Sequence, residues 1–119
     1  MQDNIESEIF IKLNLEGIHR WENCTIKEVD YLKHNHRHIF EIKCYLTVNH
    51  DDRDVEFIQF KHIVEAYLKK MYFDYRYNCY YFESMSCEMI ARELIEEFNL
   101  IKCEVNEDGE NGSILRKIL

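Results

Sequence analysis

The chain of 119 residues contains no proline and only three glycines, which argues against a linker-rich or loop-rich organisation. Cations are in short supply. The 15 Lys and Arg face 23 Asp and Glu, for a formal charge of −8, and such a field repels nucleic acid and acidic membrane surfaces alike. No apolar run approaches the roughly 20 residues of a membrane span, and no CxxC pair occurs among the five cysteines. The polar N-terminus, Met1 to Phe10, does not read as a secretory leader, so the expectation is a cytoplasmic protein with reduced thiols. What remains is 46% hydrophobic and 13% aromatic, which suits one globular domain over residues 1–119.

Histidine is the residue in excess. His34, His36 and His38 fall within one short stretch, with His19, His50 and His62 elsewhere. Around them the hydrophobic pattern changes period several times. Residues 8–15 alternate, with Ile9, Ile11, Leu13 and Leu15 on one face, as a half-buried strand does. A polar, irregular stretch from Glu16 to Asn35 follows, and a loop of that length is usually functional. His36 to Val48 is the longest alternating run, placing His36, His38, Phe40, Ile42, Cys44 and Leu46 on one face, and Asn49 to Asp52 reads as a turn.

Helical spacing takes over at Phe57, Phe60, Val64, Tyr67, Leu68 and Met71. The aromatic-rich segment from Tyr72 to Phe82 has no clear period. Ser84 or Ser86 then caps a second helix running to Phe98, with Met89, Ile90, Leu94, Ile95 and Phe98 as its apolar stripe. Strand alternation returns from Ile101 to Val105 and from Ile114 to Ile118, on either side of a glycine-containing turn. The pattern predicts an α+β domain, with two helices on one face of an antiparallel sheet.

Two histidines at i and i+2 on a strand leave the same face about 7 Å apart and can converge on one metal. His36 and His38 have that spacing, and His19 becomes a third ligand if the first strand pairs antiparallel with the second. His34 is a further candidate. The plain alternative is a set of half-buried polar residues near a strand start. Glu107 closes the third strand, where a carboxylate can accept two N–H bonds from an amino-heterocycle; it can equally be an exposed turn acid beside Asp108 and Glu110. Cys44 and Cys103 sit on inward faces and read as core residues, whereas Cys24, in the long polar stretch, is the thiol best placed as a nucleophile.

In this order the pieces resemble the 6-pyruvoyl-tetrahydropterin synthase family, including the 6-carboxy-tetrahydropterin synthases, over nearly the whole chain. Leu15 to Arg20 is similar to the F-x-A-x-H-R segment, His36-Arg37-His38 to H-G-H, and Val55 to Ile58 with Lys61 to V-x-D-F…L-K. Ser84 to Glu88 is similar to N-P-T-S-E, and Val105-Asn106-Glu107 to V-x-E. The resemblance implies a T-fold subunit of order β-β-α-α-β-β, assembled as a homo-oligomer with sites between subunits. It also implies Zn²⁺ on His19, His36 and His38, with Glu107 anchoring a pterin or purine ring and Ser86 beside it.

The departures from the family fall on its chemistry. Tyr31 to Asn35 stands where the family's catalytic cysteine belongs, with Cys24 too far ahead, and Asp74-Tyr75 stands where its Asp-His pair belongs. Cys24, His34 and Asp74 are therefore the candidates for any remaining catalysis. Retained binding without chemistry is the leading expectation, for example sequestration of a guanine-containing signal nucleotide by a virus-encoded sponge. Phosphates of such a ligand would need cations near Glu107, and Arg37, Arg116 or Lys117 are the candidates. The rival expectations are a working zinc-dependent lyase and a non-catalytic assembly protein.

Overall fold

The fold was analysed in a computed structural model, which describes residues 4–118. Its longest feature is a hairpin of two 13-residue strands, β1 (Ser7–His19) and β2 (His36–Val48), paired antiparallel from Ser7↔Val48 to His19↔His36. Then come α1 (Phe57–Tyr72), two short strands β3 (Phe73–Asp74) and β4 (Cys79–Tyr81), and α2 (Cys87–Phe98). The chain closes with β5 (Lys102–Glu107) and β6 (Asn111–Arg116). The sheet order is β3-β4-β1-β2-β5-β6.

The α+β class expected from the pattern is what the chain adopts. Ile11, Leu13 and Leu15 of β1, Phe40, Ile42 and Cys44 of β2, and Cys103 and Val105 of β5 form one core with Phe60, Val64 and Leu68 of α1 and Ile90, Ala91 and Leu94 of α2. Both helices thus cover the same sheet face. The intervening residues Glu8, Phe10, Lys12, Asn14 and Glu16 of β1 are exposed on the other.

Each helix begins on a side-chain cap. Glu56 accepts from the backbone N–H groups of Ile58 and Gln59, and Ser86 accepts from that of Met89. Asn99 ends α2 in the left-handed region.

Several expectations need correction. The sheet is mixed rather than antiparallel, since β4 runs parallel to β1 through Gly17↔Tyr80 and Ile18↔Tyr81. It has six strands because the aromatic segment folds as the β3–β4 hairpin. Glu16 to Asn35 is not one irregular stretch: β1 continues to His19, with Gly17, Ile18 and His19 all buried, and a 3-10 helix spans Lys27–Lys33. Gly17 permits that continuation, because a Cβ there would stand 2.9 Å from the Phe40 ring and 3.0 Å from the Phe82 ring. Ser86, not Ser84, caps α2; the Ser84 hydroxyl donates to Glu22 instead. Phe57, Met71 and Met89, assigned to apolar stripes, are exposed. The last strand starts earlier than expected, at Asn111.

Candidate metal centre

Strand register assembles the site. His19 lies directly opposite His36 at the end of the β1–β2 ladder, and His38 lies opposite Gly17. On the other side of β2, Phe40 pairs with Glu107 of β5. His19, His36, His38 and Glu107 therefore share the helix-facing side at one end of the sheet. The three histidines each bring a ring nitrogen within 4.8 Å of the others. Their ring centroids are 4.6, 5.3 and 5.0 Å apart for the 19–36, 19–38 and 36–38 pairs.

Each imidazole is fixed through Nδ1. His19 Nδ1 lies 2.8 Å from the Met85 carbonyl, His36 Nδ1 lies 2.9 Å from the His34 carbonyl, and His38 Nδ1 lies 2.7 Å from Asp108 Oδ2. All three partners accept, so each Nδ1 donates its proton, and Nε2 of every ring is left to hold a proton or a metal. The Nε2 atoms of His19 and His38 are buried and have no hydrogen-bond partner among the described residues.

A carboxylate faces these Nε2 atoms. Glu107 Oε2 is 3.0 Å from His19 Nε2, and Glu107 Oε1 is 3.6 Å from His38 Nε2. The contact with His19 holds Glu107 below the ordinary carboxylate range, against the opposing effect of burial. Burial also lowers the pKa of His36, with His19 and His38 adding repulsion and the backbone contact to His34 opposing. A proton on Nε2 serves one contact with Glu107, whereas a divalent cation would take a lone pair from each of the three rings. Imidazoles oriented through Nδ1 by carbonyl and carboxylate acceptors are the usual surroundings of a bound transition metal. The donor set and its orientation fit Zn²⁺.

The centre opens onto a cleft of about 470 Å³, lined among others by Trp21, Met85, Ser86, Cys87 and Asn111. Phe82 N–H donates to the Ile18 carbonyl and Arg20 N–H to the Glu83 carbonyl. These bonds extend the β1–β4 pairing and seat the loop that carries Met85 against His19. Burial, with Glu107 close by, pushes the Cys87 thiol up to about 12, so it stays S–H and donates to Glu107 Oε2 at 3.8 Å.

The remaining candidates lie apart from this cluster. Cys24 is 3% exposed, and its thiol turns to the Ile26 and Val29 carbonyls. His34 contributes its carbonyl, not its ring, and its side chain is exposed. Asp74 is held by the Arg76 guanidinium. Arg37 alternates with His36 and His38, so it points to the opposite face and bonds Glu16 and the Cys79 sulfur. Arg116 pairs with Lys102 while Glu107 pairs with Asn111, which places Arg116 at the far end of the β5–β6 hairpin. Lys117 is bonded to Asn99. Neither expected arginine therefore supplies a cation beside Glu107 within one chain. Sequence reasoning left Asp108 as a turn acid and missed the Met85 carbonyl; only the fold brings either to an imidazole.

No family model matches this chain, and no curated protein matches it. No helix is long and apolar enough to cross a membrane among the described residues.

Proposed function

We propose that this protein is a zinc-centred binding protein for a planar amino-heterocycle of the pterin or guanine kind, a T-fold subunit that has kept the binding apparatus of the synthases it resembles without their chemistry. One observation carries the metal: three histidines bring a ring nitrogen each within 4.8 Å of the others, while every Nδ1 is tied to an acceptor and Nε2 is left as the ligand atom. Two strands, two helices on one face of the sheet and two closing strands support the T-fold reading, with the β3–β4 hairpin inserted between the helices as a departure from it.

When bound, Zn²⁺ would supply a Lewis acid at the floor of the cleft. The residues of the chain do the rest. Glu107 offers a carboxylate acceptor to ring N–H groups, and Trp21 gives the cleft an aromatic wall. Ser86 fixes the start of α2 along the rim. Cys24 and Asp74 are both engaged elsewhere, which supports binding over turnover. With Arg37 and Arg116 away from Glu107, the fit within one chain is to a free heterocycle or nucleoside rather than to a nucleotide's phosphates.

The test combines metal analysis with calorimetry. One zinc per chain is expected after loading, lost in His36→Ala with circular dichroism unchanged. Neopterin or guanosine should bind the loaded protein and fail to bind Glu107→Ala. Failure of the wild type to retain zinc, or conversion of dihydroneopterin triphosphate to product, overturns the proposal.

A further inference from the structure

The position of Glu107 reaches beyond that of a ring anchor. Four donors about 2.0–2.2 Å from a tetrahedral zinc lie about 3.3–3.6 Å from one another. Glu107 Oε2 stands 3.0 Å from His19 Nε2 and Oε1 stands 3.6 Å from His38 Nε2, so the carboxylate lies at about that edge length from two of the three imidazoles. The imidazole nitrogens, within 4.8 Å of each other, close by at most about 1.2–1.5 Å to reach it, and Glu107, outside that group of three, swings toward His36 to join them.

We infer that Glu107 is the fourth protein ligand of the metal while the cleft is empty, so that His19, His36, His38 and Glu107 form a closed centre. This rests on the three-histidine metal site proposed above. The carboxylate has its own supporting shell, as ligating carboxylates do: the Cys87 thiol donates to Oε2 at 3.8 Å and Asn111 Nδ2 to Oε1 at 3.4 Å. It is also carried on β5, a central strand paired on both sides, and Phe40↔Glu107 fixes its register. A four-ligand protein centre leaves no coordination position for water or substrate, which is the arrangement of a structural metal. A heterocycle that uses Glu107 as its acceptor must draw the carboxylate off the ion, so ligand affinity and metal coordination are coupled.

The test uses Co²⁺ as a spectroscopic substitute, added to the full chain without organic ligand. Visible absorption and competition with a chromophoric chelator are compared for wild type, Glu107→Ala, Glu107→Gln and His36→Ala. The expected wild-type spectrum is that of tetrahedral Co²⁺. Glu107→Ala should bind at least about tenfold more weakly, with a changed spectrum as solvent enters the vacated position. Glu107→Gln keeps the size and loses the charge, so it should move the same way even if the alanine variant folds poorly. Wild-type affinity and spectrum in a folded Glu107 variant overturn the inference. In that event, loss of Co²⁺ from His36→Ala leaves the three-histidine centre standing. Absence of Co²⁺ binding in the wild type overturns both.

Discussion

Each imidazole of the cluster is aimed by a different kind of acceptor, and the acceptors differ in strength. Met85 and His34 offer neutral carbonyls, whereas Asp108 offers a carboxylate that also accepts from the Ile39 backbone N–H at 2.8 Å. That backbone bond, with the His38 contact, holds Asp108 below the ordinary carboxylate range. A carboxylate behind a ligating histidine raises its basicity and fixes its orientation. Asp108 has φ 60°, a conformation asparagine tolerates, so Asp108→Asn should leave the turn intact. It puts an amide N–H₂ where an acceptor is needed, against either His38 Nδ1–H or Ile39 N–H. Zinc affinity measured against a chelator should fall by about 10–100-fold, with little change in circular dichroism. Little of this was legible in the chain. The His36 and His38 spacing was visible, but nothing in the sequence tied Asp108 to His38, because the two are 70 residues apart and meet only across the β2–β5 register.

At the scale of elements, the two helices are clasped by one acid. Tyr67 and Tyr72 of α1 both donate to Glu93 of α2. Burial, followed by Glu93, pushes Tyr67 up to about 12 and Tyr72 up further. An unfolded tyrosine ionises near 10, so these groups stabilise the fold fully below about pH 10. Their contribution is lost as pH rises through the raised folded values. Urea midpoints at about pH 9 and about pH 11 should therefore fall more steeply for the wild type than for Tyr67→Phe/Tyr72→Phe; equal slopes would dismiss the clasp as a source of alkaline sensitivity. The strands that alternate cleanly are the ones the sequence delimits, and β2 matches its pattern from His36 to Val48. The β3–β4 hairpin was hidden because consecutive aromatics satisfy every period at once, and the end of β1 because Gly17 breaks the apolar alternation.

For the molecule as a whole, the histidine–glutamate cluster joins β1, β2 and β5 at one end of the sheet, through histidines of the first two and the glutamate that ends the third. An ion held only by the folded state stabilises it. At 100 times its Kd the gain is about 2.7 kcal/mol, or about 10 °C in Tm for a chain of 119 residues. Zinc should raise the wild-type midpoint by about that amount and leave His36→Ala unmoved; an equal shift in both places the ion elsewhere. The sequence by itself determined the α+β class, the two helices, the main strand faces and the shared face of His36 and His38, since these follow from local periodicity. It also determined the acidic charge and the absence of a helical membrane span. Tertiary structure decided the partners: His19 opposite His36, Asp108 behind His38, Glu107 against the Nε2 atoms of His19 and His38, Arg37 on the other face and Arg116 at the far end of its hairpin. Periodicity says which side of an element a residue occupies; only the pairing register between distant strands says what it meets there.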